Sequence, residues 1–588
     1  MNDRGDPCAS AGDETAEQLL ARVTAMVPAA LDAARGAAGF PGRWKAIAAK
    51  LGALPARLSD LSSHPCFARN ALCRELVLSV AATLAEASAL AEASCRGPGA
   101  GKLRTQSAMD ALGCKLDAAL RDCALLVRTG VLSDAAAALV SSSSSSSSPA
   151  PVADVRELLA RLQIGHYCNG EAKTRAVDGL LDAMDKDEKS VVSVLGRAHA
   201  AALVQLLSAS AAATVREKAA TVVSRLAESS DGCGAMLVSE GALPPLIRLA
   251  GSSAMGREKA ALTLQRLSGS HEISIAIAGH GGARTLLEIC HCHTDGEHSL
   301  HSTVAQSAAA GALRNLSAVP ELRRQLAEDG IVRAMIALLG SSGAAQLAKE
   351  HAADCLQNLT SDGHGNDSDS FKRAVVSSGG ARSLLLYLDA PLPHEAAVTA
   401  LRNVAGMLSP HAIVSLGVLP RLAHALKAGS PGAQQAAADA ISTIIVSGGG
   451  NGNGKVISEE NSRAIVPPLV RMLEAKSGGA REAAARALAG LACCCGHGVR
   501  ELRKDEKGVP ALVQLLDRSP LNAAAREHAV ACLLALSPAK RCRRLMVSHG
   551  AIGYLKQKLP EAEAAAGAGK LLERLEERGK LRSLFSSN

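Results

Sequence analysis

Cysteine and histidine side chains lie close together at Cys290-His-Cys-His293, with His298 and His301 following. Thiolate and imidazole groups are the ligands that zinc prefers, and a structural zinc site needs four of them at tetrahedral positions. The cluster contains no Cys-x-x-Cys pair, and its sequence is typical of an inserted loop. We therefore predict no metal-ligating residues in this chain.

Two further segments have the residue types of a nucleotide or catalytic site. The run Gly449–Lys455 has the spacing of a phosphate-binding loop, but Val456 stands where Ser or Thr would bind Mg²⁺. Cys493-Cys-Cys495 ends a predicted helix beside His497, and a catalytic thiol would need a lowered pKa and an orienting partner. We interpret the first as an insertion and the second as buried packing, and we predict no catalytic residue and no cofactor.

The composition excludes several classes of function. One Trp, three Tyr and four Phe in 588 residues are too few rings for a platform that binds nucleic acid by stacking, so we expect no nucleic-acid partner. Hydrophobic residues make up 48% and charged residues 20%, which is typical of a folded chain. A core of Leu, Val, Ile and Ala favours closely packed helices over β-sandwiches.

Charge and cysteine usage indicate where such a chain would work. The net charge of +8 is mild for this length and permits contact with acidic partners or membrane surfaces. Sixteen Cys without a tight framework, and a start without an apolar signal, favour the cytoplasm, the nucleus or both. The longest apolar stretch, Leu76 to Ala91, is interrupted by Glu86, and we expect it to be too short to cross a bilayer.

Helical periodicity runs through residues 15–135, which we predict to form a four-helix bundle. The apolar residues that recur at three- and four-residue spacing are Leu51, Leu54, Leu58 and Leu61, then Leu76, Val80 and Leu84, then Leu112, Leu116, Leu120 and Leu126. The serine run Ser141–Ser148 predicts a flexible linker over 136–152. Residues 1–14 and 581–588 are predicted to be tails.

Residues 153–580 contain a repeat. The segment Gly241–Leu249 returns along the chain, and the matched apolar residue in each copy is Leu203, Leu246, Leu286, Met335, Leu384, Leu422, Leu469, Leu512 and Leu555. Eight steps cover the 352 residues from Leu203 to Leu555, about 44 residues each. Glycine opens the segment because the preceding helix must turn sharply there, and glycine tolerates left-handed geometry.

A second signature, an Ala-rich helix such as Arg257–Leu267, recurs with the same period. It ends on an apolar residue, here named the closing residue, which is Leu226, Leu267, Leu316, Leu359, Val404, Ile444, Leu491 and Leu536. Units of 40–47 residues with two or three helices are typical of HEAT or armadillo solenoids, in which neighbours stack to bury their apolar faces.

These residues resemble the armadillo repeat. The likeness is most specific at Gly241–Leu249 and in the Ala-rich helices Ala305–Leu316, Ala348–Leu359 and Pro393–Val404. The chain as a whole looks like a plant armadillo-repeat family whose N-terminal helical domain is similar to the one before the U-box of plant U-box ubiquitin ligases. A U-box has a Cys-Pro-Ile core, and this chain has no Cys-Pro dipeptide, so we expect no ligase module.

The resemblance implies a peptide-binding groove. In armadillo proteins the Asn just before the closing residue can hydrogen-bond the main chain of an extended peptide, and that position is occupied here by Asn315, Asn358 and Asn403. Arg266, Arg314 and Arg402 complete the candidate set. Importin-type binding also needs Trp one turn earlier, where this chain has Gly311, Asp354 and Thr399. Alternatively, the Asn side chains bond the next repeat's loop.

We therefore predict an all-α protein, a helical bundle followed by a right-handed armadillo solenoid of about nine or ten units. Its predicted function is that of a non-catalytic scaffold that binds an extended peptide or a helical segment. The alternative is a component or regulator of ubiquitin ligation that recruits substrates. The basic clusters Arg323-Arg324 and Lys540–Arg544 are interpreted as solvated faces or as contacts for anionic lipid or an acidic partner.

Overall fold

Helices make up every regular element that is described. The computed structural model describes residues 14–95, 102–128, 131–132, 150–164, 170–208, 211–252, 254–291, 299–362, 367–448, 457–557 and 567–576. No strand occurs within those ranges. By internal packing the chain divides into two units, residues 1–267 and 268–588, and each is treated separately below.

The first unit contains eleven described α-helices and one short 3₁₀ turn, Phe67–Arg69. The helices are α1 (Ala16–Gly36), α2 (Pro41–Ser62), α3 (Ala71–Cys95), α4 (Lys102–Arg128), α5 (Ala150–Gln163), α6 (Gly170–Val194), α7 (Arg197–Leu206), α8 (Ala213–Ser229), α9 (Asp231–Ser239), α10 (Leu243–Ala250) and α11 (Ala254–Leu267).

Helices α1 to α4 form the predicted four-helix bundle. Thr15 starts α1 with a capping box, in which its hydroxyl accepts from the Gln18 N–H and the Gln18 side chain accepts from the Thr15 N–H. Pro41 starts α2 in the first turn, where a missing N–H costs no hydrogen bond. Inside the bundle, α1 packs on α2 and α3, and α4 packs on the same two helices. The predicted leucines of α2 are at most 1% exposed, which confirms their place in the core.

Helix α5 packs against this bundle. Ala160 and Ile164 belong to the same buried apolar cluster as the bundle leucines, and Arg161 lies 3.8 Å from Glu75 of α3. The helix begins at Ala150, slightly before the predicted end of the linker, because Pro151 is tolerated in a first helical turn. The serine run itself lies outside the described residues.

The second unit is built mainly from triplets of helices. They are α12 (His271–Gly279), α13 (Gly282–His291) and α14 (Ser299–Ala318); α15 (Arg323–Glu328), α16 (Ile331–Gly340) and α17 (Gln346–Thr360); α18 (Asp367–Ser377), α19 (Gly380–Tyr387) and α20 (Glu395–Ala405); α21 (Pro410–Ser415), α22 (Val418–Ala428) and α23 (Pro431–Gly448); α24 (Glu459–Met472) and α25 (Gly478–Cys494); α26 (Gly496–Lys504), α27 (Gly508–Gln514) and α28 (Ala523–Leu536); and α29 (Lys540–Ser548), α30 (Ala551–Lys556) and α31 (567–576). Short 3₁₀ turns lie at Pro320–Leu322 and Pro520–Asn522.

The third helix of each triplet packs beside the third helix of the next. This series runs through α14, α17, α20, α23, α25 and α28. All eight closing residues are at most 4% exposed, and the nine matched residues of the first signature are at most 7% exposed. The matched residues and the closing residues therefore mark the buried face of each repeat, as predicted.

In most repeats, the glycine expected before the second helix of the triplet adopts left-handed geometry. The φ angles of Gly241, Gly281, Gly330, Gly379, Gly417 and Gly550 lie between +61° and +94°, which confirms the prediction. Three repeats depart from the pattern. Gly196 before α7 and Lys507 before α27 have negative φ. Helix α24 runs through Pro467 and Pro468 without a break and joins the first and second helices.

Helix α3 is, among the described residues, the one helix long and apolar enough to cross a membrane by length and composition. It has 25 residues, so the expectation that this stretch is too short was wrong, because the helix continues beyond Leu76 and Ala91 at both ends. One such helix is weak evidence for a span. Its residues Leu72, Leu76 and Leu84 are buried in the bundle core.

Candidate partner-binding groove

The three predicted Asn side chains lie on the third-helix face of the second unit, and each donates a hydrogen bond to the hydroxyl that directly follows the preceding closing residue. The distances are 3.0 Å from Asn315 Nδ2 to Ser268 Oγ, 3.1 Å from Asn358 Nδ2 to Ser317 Oγ, 3.2 Å from Asn358 Nδ2 to the Arg314 carbonyl, and 3.1 Å from Asn403 Nδ2 to Thr360 Oγ1. The amides of Asn358 and Asn403 therefore tie their third helix to that of the preceding repeat. The partners of all three precede the Asn in the chain, so they do not lie in the following repeat's loop.

The hydroxyl groups that receive these bonds are built into the repeat. Ser268, Ser317 and Thr360 directly follow a closing residue, and all three are at most 2% exposed. Ser317 and Thr360 each donate their proton to a carbonyl of their own helix, at 2.7 Å. Their oxygen is therefore left to accept, and an amide N–H from the next unit satisfies it without desolvation cost.

Two of the predicted arginines orient these amides. Arg314 donates from Nε and Nη2 to Asn315 Oδ1, at 3.2 and 3.0 Å. Arg402 makes the same pair of bonds to Asn403 Oδ1, at 3.1 and 2.9 Å. Because the guanidinium fixes Oδ1, each amide must turn Nδ2 toward the preceding unit.

Arg266 belongs to the first unit and plays a comparable part there. It occupies the position just before the closing residue Leu267. Its Nε donates to the Ala227 carbonyl at 3.4 Å, and its Nη2 lies 3.0 Å from Asp231. It thus joins α11 to the preceding third helix α8.

An open depression of about 750 Å³ lies on the third-helix face of the second unit, lined by residues of α20, α23 and α25. The predicted residues Arg402 and Asn403 line it. Val446, which is 75% exposed, adds an apolar surface, and Lys372 pairs with Asp362 at the margin. A depression with exposed apolar, amide and charged groups is suited to a polypeptide segment.

Charge in the depression is concentrated around Asp439. Its carboxylate lies 3.7 Å from Arg486 Nη2, and Arg486 also pairs with Glu482 at 2.7 Å. Burial raises the pKa of the Asp439 carboxyl, while Arg486 and Arg402 act in the opposite direction. Asp439 Oδ1 and Arg486 Nε are buried and make no hydrogen bond within the described residues.

Sequence reasoning missed Asp439, Arg486 and Val446 as groove residues. Asp439 and Arg486 lie five residues before the closing residues of their repeats. This is the position at which importin-type binding needs Trp. Val446 stands two residues after its closing residue. Extending that position to every repeat, without requiring an aromatic residue, would have found Asp439 and Arg486 but not Val446.

One buried histidine and two half-buried ones have a lowered pKa. Burial lowers the pKa of His351, with a second contribution from Arg314, whereas Asp354 and Glu350 oppose it and His394 adds to it. Both ring nitrogens of His351 lack a hydrogen-bond partner. Burial also lowers the pKa of His199 in the first unit and of His528 in the second.

We expect the free energy of unfolding to fall between about pH 7.5 and about pH 5.5, because an unfolded histidine takes up a proton near pH 6.5 whereas a buried one resists it. Stability from a lowered histidine pKa is present above the unfolded pKa and is lost as the pH falls below it. Replacing His351 by Leu should reduce the decline. Urea unfolding followed by circular dichroism at both pH values measures it, and an unchanged decline in the variant would contradict this assignment.

The other candidate sites give no chemistry in the described residues. Cys495 is buried, but Cys493 and Cys494 are exposed at the end of α25, so the prediction of buried packing was wrong for those two. Burial of the thiol still raises the pKa of Cys493, opposite to the need of a nucleophile. No group of three potential metal ligands occurs in the part of the chain that is described. Cys292, His293, His298 and Gly449–Lys455 lie outside it.

Both basic clusters are partly structural. Arg323 Nε donates to the Ser317 carbonyl at 3.0 Å, and burial lowers its pKa. Arg543, in the second cluster, donates to the Ser537 carbonyl in the same way. Each arginine thus satisfies a carbonyl at the end of a third helix.

Triplets of helices with a left-handed glycine before the second helix, repeated about every 44 residues, define an armadillo-type helical-repeat protein. An engineered protein whose crystal structure was solved by the Northeast Structural Genomics Consortium has a similar fold, with 24% identity, a TM-score of 0.56, and coverage of 72% of this chain and 99% of its own. A designed armadillo repeat protein also matches, with 23% identity, a TM-score of 0.35, and coverage of 42% of this chain and 99% of its own.

The sequence comparisons concern the first unit. A family model described as a domain of unknown function, DUF7032, matches residues 21–131, which include most of α1 and all of α2, α3 and α4. No curated protein matches the chain.

Proposed function

We propose that this protein is a non-catalytic scaffold whose second unit binds an extended segment of a partner protein along its third helices. The observation that carries the proposal is the open depression of about 750 Å³ lined by Arg402, Asn403 and Val446. A fold of stacked helical repeats commonly serves as such a binding surface. A short helical segment is the other partner that the same surface would accommodate.

The amides still have hydrogen-bonding capacity for a bound main chain. Asn403 donates one N–H to Thr360 and retains the second, and the side-chain carbonyl of Asn358 accepts no hydrogen bond. An extended peptide presents alternating carbonyl and N–H groups, so both capacities match it. Few aromatic anchors are available, which favours modest affinity per contact.

The test compares two exposed valines of the same triplet. Val446 lines the depression, whereas Val414, on α21, is 60% exposed and does not line it. Peptides would be selected from a displayed random library on the wild-type chain, and their affinities measured by fluorescence anisotropy. We expect Val446→Glu to weaken them about tenfold or more, and Val414→Glu to leave them within about twofold.

Failure to enrich any peptide, or equal losses in both variants, would contradict groove binding. Both variants change only exposed side chains, so circular dichroism should show unchanged helix content. Replacing the three Asn residues instead would not separate binding from folding, because their amides join the units.

A relation to ubiquitin ligation is the second proposal. It is supported by the resemblance of residues 15–135 to the helical domain of plant U-box ligases, with that domain offering a second partner surface for substrate recruitment. A reconstituted reaction with several conjugating enzymes tests it. We expect no chain formation by this chain alone, and altered chain formation when a U-box ligase is added.

We further propose residence in the cytoplasm, the nucleus or both, based on cysteine usage. A fluorescent fusion in plant cells tests it. Peripheral contact with anionic membranes through the Lys540–Arg544 cluster belongs to the same set of proposals.

A further inference from the structure

An ion pair links the region after one first helix of the second unit to the next first helix, and both carry much of the chain's positive charge. Arg541 of α29 pairs at 3.1 Å with Glu506, which lies two residues after the end of α26. Residues 496–507 and 540–549 together contain eight Lys or Arg and three Asp or Glu. Their surplus of five positive charges compares with +8 for the whole chain.

Half of these eight side chains already serve the fold. Arg543 bonds the carbonyls of Ser537 and Pro538, Lys504 pairs with Glu501, and Arg541 pairs with Glu506. Arg503 is half-buried, and its Nε makes no hydrogen bond. To bind a partner, each of these four side chains would have to break an existing contact or move out of a partly buried position.

The remaining four form what we name the basic surface: Arg500, Lys507, Lys540 and Arg544. All four are exposed, and within the described ranges none of their side chains makes an ion pair or a hydrogen bond. Like charges placed together repel one another and contribute nothing to folding. Their charge is therefore available to an external anion.

The surroundings favour one kind of anion. Helices α26 and α29 carry no aromatic residue, and Val547 is the single large apolar side chain on them that is strongly exposed. Insertion into a membrane needs a broad apolar face, commonly with Trp, Phe or Leu, and stacking of nucleic-acid bases needs rings. Asp505 and Glu506 lie among the basic groups and would oppose a uniformly negative sheet.

We infer that the basic surface binds an acidic segment of a partner protein, whose spaced carboxylates reach Arg500, Lys507, Lys540 and Arg544. A polypeptide can place neutral residues opposite Asp505 and Glu506, which a lipid surface cannot do. Complementary charge of this kind mainly governs partner choice and the rate of association. Arg500, Lys540 and Arg544 lie on first helices, and Lys507 directly precedes the second helix α27. None of them is on a third helix, so this contact is independent of the groove.

The probe is a short fluorescein-labelled peptide of repeated Ser-Glu-Glu, with Ser-Gln-Gln as its neutral counterpart. The test variant combines Arg500→Gln, Lys507→Gln, Lys540→Gln and Arg544→Gln. The matched control combines Lys45→Gln, Lys102→Gln, Arg104→Gln and Arg128→Gln, four exposed basic residues of the first unit that make no ion pair. Both lower the net charge by the same amount, so they separate the basic surface from general attraction.

In fluorescence anisotropy at low salt, we expect the acidic peptide to bind the full chain and the neutral one not to bind. The test variant should weaken binding about tenfold or more, and the control should stay within about twofold. Failure of the acidic peptide to bind, or equal losses in both variants, would overturn the inference. So would binding to phosphatidylcholine–phosphatidylserine vesicles that falls in the test variant as much as peptide binding does. Val446→Glu should not alter acidic-peptide binding, so this result and the groove test can fail separately.

Discussion

Replacing Leu401 with Ala is expected to lower the free energy of unfolding of the second unit by about 2–5 kcal/mol. Leu401 lies on α20 with no exposed surface, and α20 packs against α17, α18, α19 and α23. The truncation removes buried methyl groups and leaves a cavity that close-packed neighbours cannot fill. In a repeat stack each repeat is stabilised by its neighbours. A cavity in α20 therefore weakens its interface with the preceding repeat and its interface with the following one.

Urea unfolding followed by far-ultraviolet circular dichroism measures this loss. The matched control is Leu392→Ala, because Leu392 precedes α20 in the same unit and is 77% exposed. It should change stability by less than about 0.5 kcal/mol. Similar effects of the two substitutions would contradict the packing of α20 described above.

Replacing Asn358 with Ala is expected to cost about 1–3 kcal/mol, because the buried Ser317 oxygen loses its amide donor. Both Asn358 N–H bonds end on the preceding third helix, at Ser317 and at the Arg314 carbonyl. Thr443 is a suitable control: it occupies the same register position, but its hydroxyl donates within its own helix, to Asp439. Thr443→Ala should therefore cost less than Asn358→Ala.

A double-mutant cycle with Ser317→Ala identifies the cause. If the bond between Asn358 and Ser317 joins the units, the two substitutions together should cost less than the sum of the single ones. Strict additivity would show that Asn358 acts through other contacts. The same cycle on Asn403 and Thr360 would test whether the arrangement recurs.

The repeat could be predicted from the sequence because its physical cause is local. A buried apolar residue is required in every repeat and a glycine with positive φ in most of them, so both return with one period. Gly379 and Leu384 illustrate both requirements within a single segment. The interruption at α24 was missed, since two prolines can either end a helix or sit inside a bent one.

The partners of the Asn side chains could not be predicted in the same way. Asn358 contacts Ser317, 41 residues earlier, and nothing in the local sequence distinguishes that bond from one to a following loop. The basic surface could not be predicted from the local sequence either. Its two clusters are visible in the sequence, but their proximity depends on how consecutive first helices stack, as the pair Arg541–Glu506 shows. Exposure of Cys493 likewise depends on where α25 ends.

The packing of α5 on the bundle gives the N-terminal helices a second role. Ala160 of α5 and Ile164, which follows it, lie in the core of the bundle. Helices α1 to α4 therefore cover the apolar side of α5 at the start of the repeats. An unprotected end of such a stack exposes apolar side chains and invites self-association. Cutting the chain at the serine run would therefore uncover that end, and the soluble fragment to make is one that retains the bundle.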